Sequence, residues 1–166
     1  MFTPKPISLA GVPGALEKAE RYRLLNEPSE AESICRDVLA VDPDNQPATI
    51  MLLLAMTDQF SEAVAENERG ARELLPRIRD EYKRAYYEGV ICERRGRAHL
   101  RSGRGGSGEL AYEWLTRAME SYERAEAIRP PGNDEAILRW NACARMIDAR
   151  DYVRPGAAEA YEPSFD

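Results

Sequence analysis

The sequence predicts an all-α protein of about seven helices, two of which form an extended antiparallel pair. Two observations carry this prediction. Apolar residues recur at three- and four-residue steps almost everywhere in 15–150, which is the period of an amphipathic helix. No stretch alternates strictly between apolar and polar residues, as a half-buried strand would. Clusters of proline, glycine and asparagine divide the periodic region into seven helical segments.

The first two helices are separated by an Asn-Glu-Pro turn at 26–28. The first is expected at 15–25, and the second runs from Pro28 or Ser29 to just before Pro43. A proline in a first helical turn loses no hydrogen bond, because its N–H would be unpaired there anyway. The apolar faces consist of residues at helical spacing, namely Leu16, Ala19 and Tyr22, then Ala31, Cys35, Val38 and Leu39.

The third helix is predicted at 46–58 and the fourth at 62–75, with a weak break near 59–61. The third contains the most apolar run of the chain, at 50–56. A helix that is apolar around most of its girth packs between neighbours on several sides. We therefore expect the third helix at the centre of the fold.

The last three helices are predicted at 80–102, 109–129 and 134–150. A glycine-rich stretch separates the first two of these, and a Pro-Pro-Gly-Asn turn precedes the last. Asn133 or Asp134 is expected to cap the final helix, because both side chains accept hydrogen bonds from free N–H groups. Its inward face is predicted to carry Ile137, Trp140, Ala144 and Ile147.

Two helical segments share one spacing of small and larger apolar residues that ends in proline. They are Ala31, Cys35, Val38 and Pro43, and Ala118, Tyr122, Ala125 and Pro130. This pattern resembles the second half of the tetratricopeptide repeat, in which small residues let paired helices approach and proline ends the helix. Tyr22 stands where the family has its aromatic residue, whereas Ala15 and Lys18 replace the usual Trp and Leu.

The resemblance covers about 15–150 and implies a short right-handed solenoid of helical hairpins. In this family the first helix of each pair lines a concave face that holds an extended peptide or a helix of a partner protein. Some members bind a C-terminal carboxylate with a clamp of Lys, Asn and Arg, but the matching positions here look like Leu16, Glu20 and Leu54. The concave face would here consist of Leu16, Glu20, Arg23, Ile50, Leu54, Asp58, Arg97 and Asn141.

The third helical pair is longer than the family's unit. Pro43 and Pro76 are 33 residues apart, close to the period of about 34, whereas Pro76 and Pro130 are 54 apart. The extra residues add roughly 15 Å to each helix at about 1.5 Å per residue. Glycines and alanines at seven-residue steps predict a close seam between the two helices: Gly89, Gly96 and Gly103 against Ala111, Ala118 and Ala125.

The sequence contains no pattern that indicates catalysis, a metal site or a cofactor. His99 is the single histidine and has no triad or metal-ligand spacing around it. Cys35, Cys92 and Cys143 share no C-x-x-C motif, so a zinc site is not predicted, and a reduced, cytoplasmic protein is expected. The glycine-rich stretch 103–108 follows a helix and lacks the Gly-Lys-Ser/Thr ending of a phosphate loop, so we interpret it as a hairpin turn.

The charge of the chain is unevenly distributed. The formal net charge is −6, yet 69–104 carries 11 basic and 5 acidic residues. The basic patch consists of Arg94, Arg95, Arg97, Arg101 and Arg104. One interpretation is a solvated face paired with acids of the sixth helix, such as Glu109, Glu113 and Glu120; the other is a docking patch for carboxylates or phosphates, which arginine binds in bidentate fashion.

The sequence divides into three predicted regions and leads to a predicted function and predicted partners. We expect an irregular lead at 1–14, the helical domain at 15–150 and a flexible acidic tail at 151–166, which either frays or docks as a peptide. The predicted function is a cytoplasmic, bacterial, non-catalytic scaffold for a protein partner, with no membrane segment. The alternative is nucleic-acid or phosphate-ligand binding by the basic helix, with nucleic acid disfavoured by the acidic net charge. A homodimer is a further candidate assembly.

Overall fold

The structure is a computed structural model of the chain and describes residues 2–61 and 64–156. Within these two ranges it contains seven α-helices and no strand, which confirms the predicted all-α class and the number of helices. Single 3₁₀ turns occur at Leu9–Gly11 and Leu75–Arg77. The helices are α1 Val12–Leu24, α2 Pro28–Val41, α3 Gln46–Asp58, α4 Val64–Leu74, α5 Glu81–Ser102, α6 Ser107–Ala127 and α7 Glu135–Asp148.

Side-chain caps fix where two of the helices, α3 and α5, begin. Oδ1 of Asn45 accepts a hydrogen bond from the N–H of Ala48 at 2.9 Å, and Oδ1 of Asp80 accepts one from Lys83 at 2.8 Å. These bonds satisfy N–H groups that have no partner inside α3 and α5. Asp134 precedes α7 without capping it, and Oδ1 of Asn133 instead accepts from the N–H of Glu135 at 3.1 Å.

The end of α1 is a left-handed turn that faces the later helices. Asn26 has φ +61°, a conformation that asparagine tolerates better than most residues. The N–H of Glu27 donates to the carbonyl of Tyr22 at 2.8 Å, and that of Asn26 to Arg23 at 3.0 Å. This paired arrangement is a Schellman motif, and it satisfies carbonyls that the helix leaves unpaired.

Two large hydrophobic clusters form most of the core, and α5 contributes to both. The first surrounds α3, whose Leu53 is fully buried, and takes in Ile91 of α5. The second joins α5, α6 and α7 and includes Val90. Since Val90 and Ile91 are adjacent, different faces of one helix are buried in different clusters. α5 thus links the first four helices to the last two.

The long helical pair predicted from the proline spacing is present. α5 has 22 residues and α6 has 21, so both exceed ordinary repeat helices such as α2, which has 14. The two helices pack against each other along most of their length. Gly103 and Gly106, with φ +59° and +76°, form the turn between them, as the interpretation of 103–108 as a hairpin turn requires.

The predicted seam of glycines against alanines is present only in part. A Cβ at Gly89 would lie 2.5 Å from Cε1 of Tyr122, and a Cβ at Gly96 would lie 2.8 Å from Cγ of Leu115. The glycines therefore make room for larger side chains of α6, and Gly96 also approaches the backbone of Ala111. Gly103 lies outside the seam because its left-handed conformation ends α5.

The buried face of α7 also differs from the prediction. Ala136 and Cys143 are fully buried, whereas Ile137 and Ala144 are only half-buried. Trp140 and Ile147 pack against the cluster of α5, α6 and α7 as predicted, so the prediction holds for two of its four residues. Arg139 on the same helix contacts the buried carboxylate of Glu93 in α5, an ion pair that periodicity does not reveal.

The segment after α7 returns to the long helical pair. Val153 is buried in the cluster of α5, α6 and α7, and Tyr152 lies directly against Gly108 at the start of α6. The described part of the segment expected to be a tail, 151–156, thus packs on the domain. The rest of that segment, 157–166, lies outside the described residues.

Candidate binding cleft

A polar cleft lies where the four odd-numbered helices meet. We call it the arginine cleft; it has a volume of about 290 Å³. The turn after α1 contributes Asn26, α3 contributes Thr57 and Asp58, and the remaining lining residues come from α5 and α7. These are Glu93, Arg94, Arg97, Arg101 and Arg139.

Asp58 bridges three helices at one side of the arginine cleft. Its Oδ2 accepts a hydrogen bond from Nε of Arg23 at 2.8 Å, and its Oδ1 pairs with Arg94. All three side chains are about four-fifths buried, which strengthens the attraction relative to a surface pair. This carboxylate therefore links α1, α3 and α5.

Glu93 is the second carboxylate, and it is fully buried. Its Oε1 accepts from Nε of Arg97 at 2.9 Å, and Nη1 of Arg139 lies 3.2 Å and 3.3 Å from its two oxygens. The hydroxyl of Tyr122 donates to Oε2 at 2.7 Å. A buried carboxylate requires such partners, since leaving it unpaired costs several kcal/mol.

Burial and neighbouring charges shift the pKa values of three residues in and beside the arginine cleft. Burial, followed by the charges of Arg23 and Arg139, lowers the pKa of Arg94 to about 10, so this side chain remains charged at pH 7. Arg139 is shifted the other way: burial lowers its pKa, but Glu93 and Tyr86 outweigh burial and raise it. Burial and the charge of Glu93 raise the pKa of Tyr122, which keeps its hydroxyl as a donor.

The arginine cleft contains only part of the predicted groove. Asp58 and Arg97 line it, and Arg23 is bonded to Asp58. The other predicted groove residues lie elsewhere: Leu16 packs near Val12 and Val38, Ile50 on the first cluster and Leu54 on the second, Glu20 is exposed, and Asn141 is half-buried on α7.

The basic patch is divided between two sides of α5. Arg94, Arg97 and Arg101 face the arginine cleft. Nε of Arg95 lies 2.9 Å from Oε2 of Glu68, and its guanidinium is 5.4 Å from the ring centroid of Trp114. Arg104 lines a depression at the turn between α5 and α6.

The arginines of the basic patch pair with other carboxylates than the sequence predicted. Among the described residues, the partners of its arginines are Asp58, Glu68 and Glu93, and not Glu109, Glu113 or Glu120 of α6. The reason is that α6 packs on α5 through the glycine face around Gly89 and Gly96, which the arginines do not share.

Sequence reasoning missed Asn26, Glu93 and Arg139 as cleft residues. A signal existed for Glu93, because it precedes Arg97 by four residues, the spacing at which helical side chains pair. Arg139 had no comparable signal, since its partner lies 46 residues away in the chain. Asn26 was recognised as a turn residue, but its position beside α5 depends on how α1 packs.

The other reactive side chains occur singly. Nε2 of His99 is buried without a hydrogen-bond partner among the described residues, and burial followed by the charge of Arg95 lowers its pKa. Cys35, Cys92 and Cys143 are free and buried. Across 2–61 and 64–156, no three His, Cys, Asp or Glu side chains are grouped so that they could hold a metal ion.

Comparison with known protein families, curated proteins and solved structures gives no match for this chain. In the part of the chain that the structure describes, no helix combines the length and the apolar character that crossing a membrane requires.

Proposed function

We propose that this chain is a non-catalytic protein-interaction module that holds a peptide or a helix of a partner protein along its odd-numbered helices. One observation carries the proposal: α3, α5, α7 and the turn after α1 all line the arginine cleft, and Arg23 of α1 is bonded to its Asp58. Successive helices at one face present a row of side chains, which suits an elongated ligand rather than a compact one. The odd-numbered helices would also line the concave face of a tetratricopeptide-like solenoid, so the resemblance supports the proposal.

The chemistry of the arginine cleft favours a partner segment with acidic groups. Four arginines and two carboxylates line it, so its formal charge is positive although the chain as a whole is acidic. Charge complementarity of this kind selects partners and orients them on approach. An acidic peptide is therefore the ligand class that the arginine cleft fits best.

The alternative of nucleic-acid binding has less support. A protein that follows a nucleic-acid backbone presents its basic residues along one continuous surface. Here Arg101 borders both the arginine cleft and the depression that Arg95 and Arg104 line. Arg94, Arg95 and Arg97, however, pair with Asp58, Glu68 and Glu93, so three of the five basic groups are neutralised within the chain.

A peptide-display selection on the full chain tests the proposed function. Selected peptides are expected to bind the wild type and to lose about tenfold in affinity, or ~1.4 kcal/mol, with Arg101→Gln. Arg145→Gln is the matched control, because Arg145 is exposed on α7 and does not line the arginine cleft. No enrichment of any peptide, or equal losses in the two variants, would contradict peptide binding at this face.

The salt dependence of oligonucleotide binding tests the nucleic-acid alternative. Binding of a single-stranded oligonucleotide is titrated at about 50 and 200 mM salt, because phosphate contacts lose affinity steeply over this range. Tight, strongly salt-dependent binding that requires Arg95 and Arg104 as well as Arg101 would favour the alternative over the peptide.

A further inference from the structure

The carboxylates of the arginine cleft are already occupied by its own arginines. Asp58 pairs with Arg23 and Arg94, and Glu93 with Arg97 and Arg139. Glu93 also has no exposed surface, so a ligand in the arginine cleft cannot contact it. An incoming ligand therefore meets the outer N–H groups of the arginine side chains.

Those guanidinium groups retain donors after the internal pairs are formed. Arg97 uses Nε for Glu93, which leaves its two Nη groups, and Arg139 uses Nε and Nη1, which leaves Nη2. Arg101 is exposed and forms no ion pair with a residue that the structure describes. Donors from three arginines on two helices thus border one small space.

The charges of the arginine cleft match a doubly charged anion. Four lining arginines against two lining carboxylates give a formal balance of +2. A carboxylate would neutralise half of this balance, whereas a phosphate monoester carries about −1.5 to −2 at pH 7. Repulsion from Arg23 and Arg139 contributes to the lowered pKa of Arg94, and a bound dianion would relieve it.

The size of the arginine cleft limits what it can hold. Its volume of about 290 Å³ lies at the lower limit of the roughly 300–1,000 Å³ of sites for whole small molecules. A phosphate with its first few attached atoms fits this space, and the rest of the ligand would lie outside on α1 and α3. Asn26 at the rim offers an amide that can donate to a phosphate oxygen.

We propose that the arginine cleft binds a phosphate monoester dianion between Arg97, Arg101 and Arg139, presented as a phosphorylated side chain of the peptide in the groove. The proposal rests on the proposed function for the peptide, but the phosphate site itself does not require it. Arginine is suited to this role because its planar, paired N–H groups match two phosphate oxygens at once. Asp58 and Glu93 act as positioning residues that hold Arg94, Arg97 and Arg139 in place.

The test uses the full chain with inorganic phosphate and O-phosphoserine as probes. The Nε–Hε resonances of the arginines are followed by NMR during each titration. We expect saturable shifts at Arg97, Arg101 and Arg139 with both probes, and none with serine. Arg101→Gln is expected to weaken phosphoserine binding about tenfold, equivalent to ~1.4 kcal/mol, while Arg145→Gln leaves it unchanged. Melting temperatures confirm that both variants are folded.

Paired peptides then distinguish this proposal from the proposed function. Each displayed peptide is compared with and without phosphate on a central serine, and with glutamate in its place. At least about tenfold tighter binding of the phosphorylated form, lost in Arg101→Gln, supports the phosphate site. Equal affinity of the three forms overturns the phosphate site but leaves peptide binding standing.

The proposed function can also fail while the phosphate site stands. Phosphoserine binding at the three arginines without binding of any peptide supports the phosphate site and contradicts the proposed function. Unchanged arginine resonances with both phosphate probes at about 20 mM, a concentration above ordinary millimolar affinities, overturn the phosphate site outright.

Discussion

Two glycines of α5, Gly89 and Gly96, determine how closely α6 can pack against it. Gly96 faces Leu115, and a Cβ there would also lie 3.4 Å from the carbonyl oxygen of Ala111. Leu115 is fully buried, so it has little room to move. Glycine in a helix costs about 1 kcal/mol relative to alanine, and the close packing offsets this cost.

Gly96→Leu is expected to lower the free energy of unfolding by about 2–4 kcal/mol, near and slightly above the usual range for overpacking. Helix propensity alone predicts a gain of about 1 kcal/mol, so the sign of the change decides between the two effects. Gly14→Leu is the matched control, because Gly14 is exposed in α1 and a Cβ there would have no neighbour within 4 Å. Urea unfolding measures both, and a Gly96→Leu protein as stable as the wild type would contradict the packing.

Glu93 is the residue on which most polar contacts of the core depend. Glu93→Gln keeps the shape of the side chain but removes the charge that pairs with Arg97 and Arg139. We expect a loss of about 1–3 kcal/mol, because the arginines left without a carboxylate are still partly exposed to solvent. Glu126→Gln, which removes an exposed pair with Arg129, should cost at most about 1 kcal/mol. Equal melting temperatures of the two variants would show that the Glu93 network does not stabilise the fold.

The buried thiol of Cys143 predicts a loss of stability at alkaline pH. Burial raises its pKa from 9.0 to about 12, so the unfolded chain loses this proton at a lower pH than the folded chain. The contribution is fully present below pH 9 and is lost as the pH rises toward 12. Cys143→Ala should therefore show a shallower fall in unfolding free energy between about pH 9 and 11 than the wild type. Val153→Ala, a truncation in the same cluster, should keep the wild-type slope.

The turn between α5 and α6 is the element that sets where the long helical pair reverses direction. Gly103 ends α5 in the left-handed region, where a Cβ costs about 1–2 kcal/mol. Gly105 lies two residues further on in the same turn without a positive φ, and no atom lies within 4 Å of its Cβ position.

We expect Gly103→Ala to lower the unfolding free energy by about 1–2 kcal/mol and Gly105→Ala to leave it unchanged or slightly raised. The two substitutions differ only in the backbone conformation at the substituted position, since neither added methyl group meets a neighbour. Thermal unfolding followed by circular dichroism compares them. A larger loss for Gly105→Ala than for Gly103→Ala would contradict the turn geometry.

At the scale of the whole molecule, the two ends of the helical array expose apolar side chains. Leu24 and Leu25 are exposed at the end of α1, and Leu138 is exposed on α7. Short helical arrays leave such end faces uncovered, and self-association is one way to bury them. We expect the homodimer predicted from the sequence to use the α1 end, where two consecutive large apolar side chains, Leu24 and Leu25, are exposed.

Sedimentation equilibrium at tens of micromolar protein tests the dimer. The wild type is expected to self-associate, and Leu25→Glu is expected to return it to a monomer. Leu138→Glu, an equivalent change at the opposite end, should leave association intact. A wild-type monomer at both low and high salt would rule out the homodimer and leave the arginine cleft for an outside partner.

The sequence alone determined the all-α class, the seven helices and the long pair of α5 and α6. These features depend on local signals: the 3.6-residue period, and prolines and glycines that a helix cannot continue through. The spacing of Pro76 and Pro130 was enough to predict two helices of unusual length. The resemblance to the tetratricopeptide repeat implied that Asp58 and Arg97 lie in a groove, because each lies on a predicted first helix of a pair.

The tertiary structure alone decided which side chains meet in the arginine cleft. Glu93 binds Arg139 across 46 residues, and no local pattern predicts this pair. Cys143 is buried while Ala144 is only half-buried, a difference that the apolar period of α7 did not predict. The physical reason is that a buried carboxylate requires charged partners, and residues far apart in the chain supply them only once their helices are packed together.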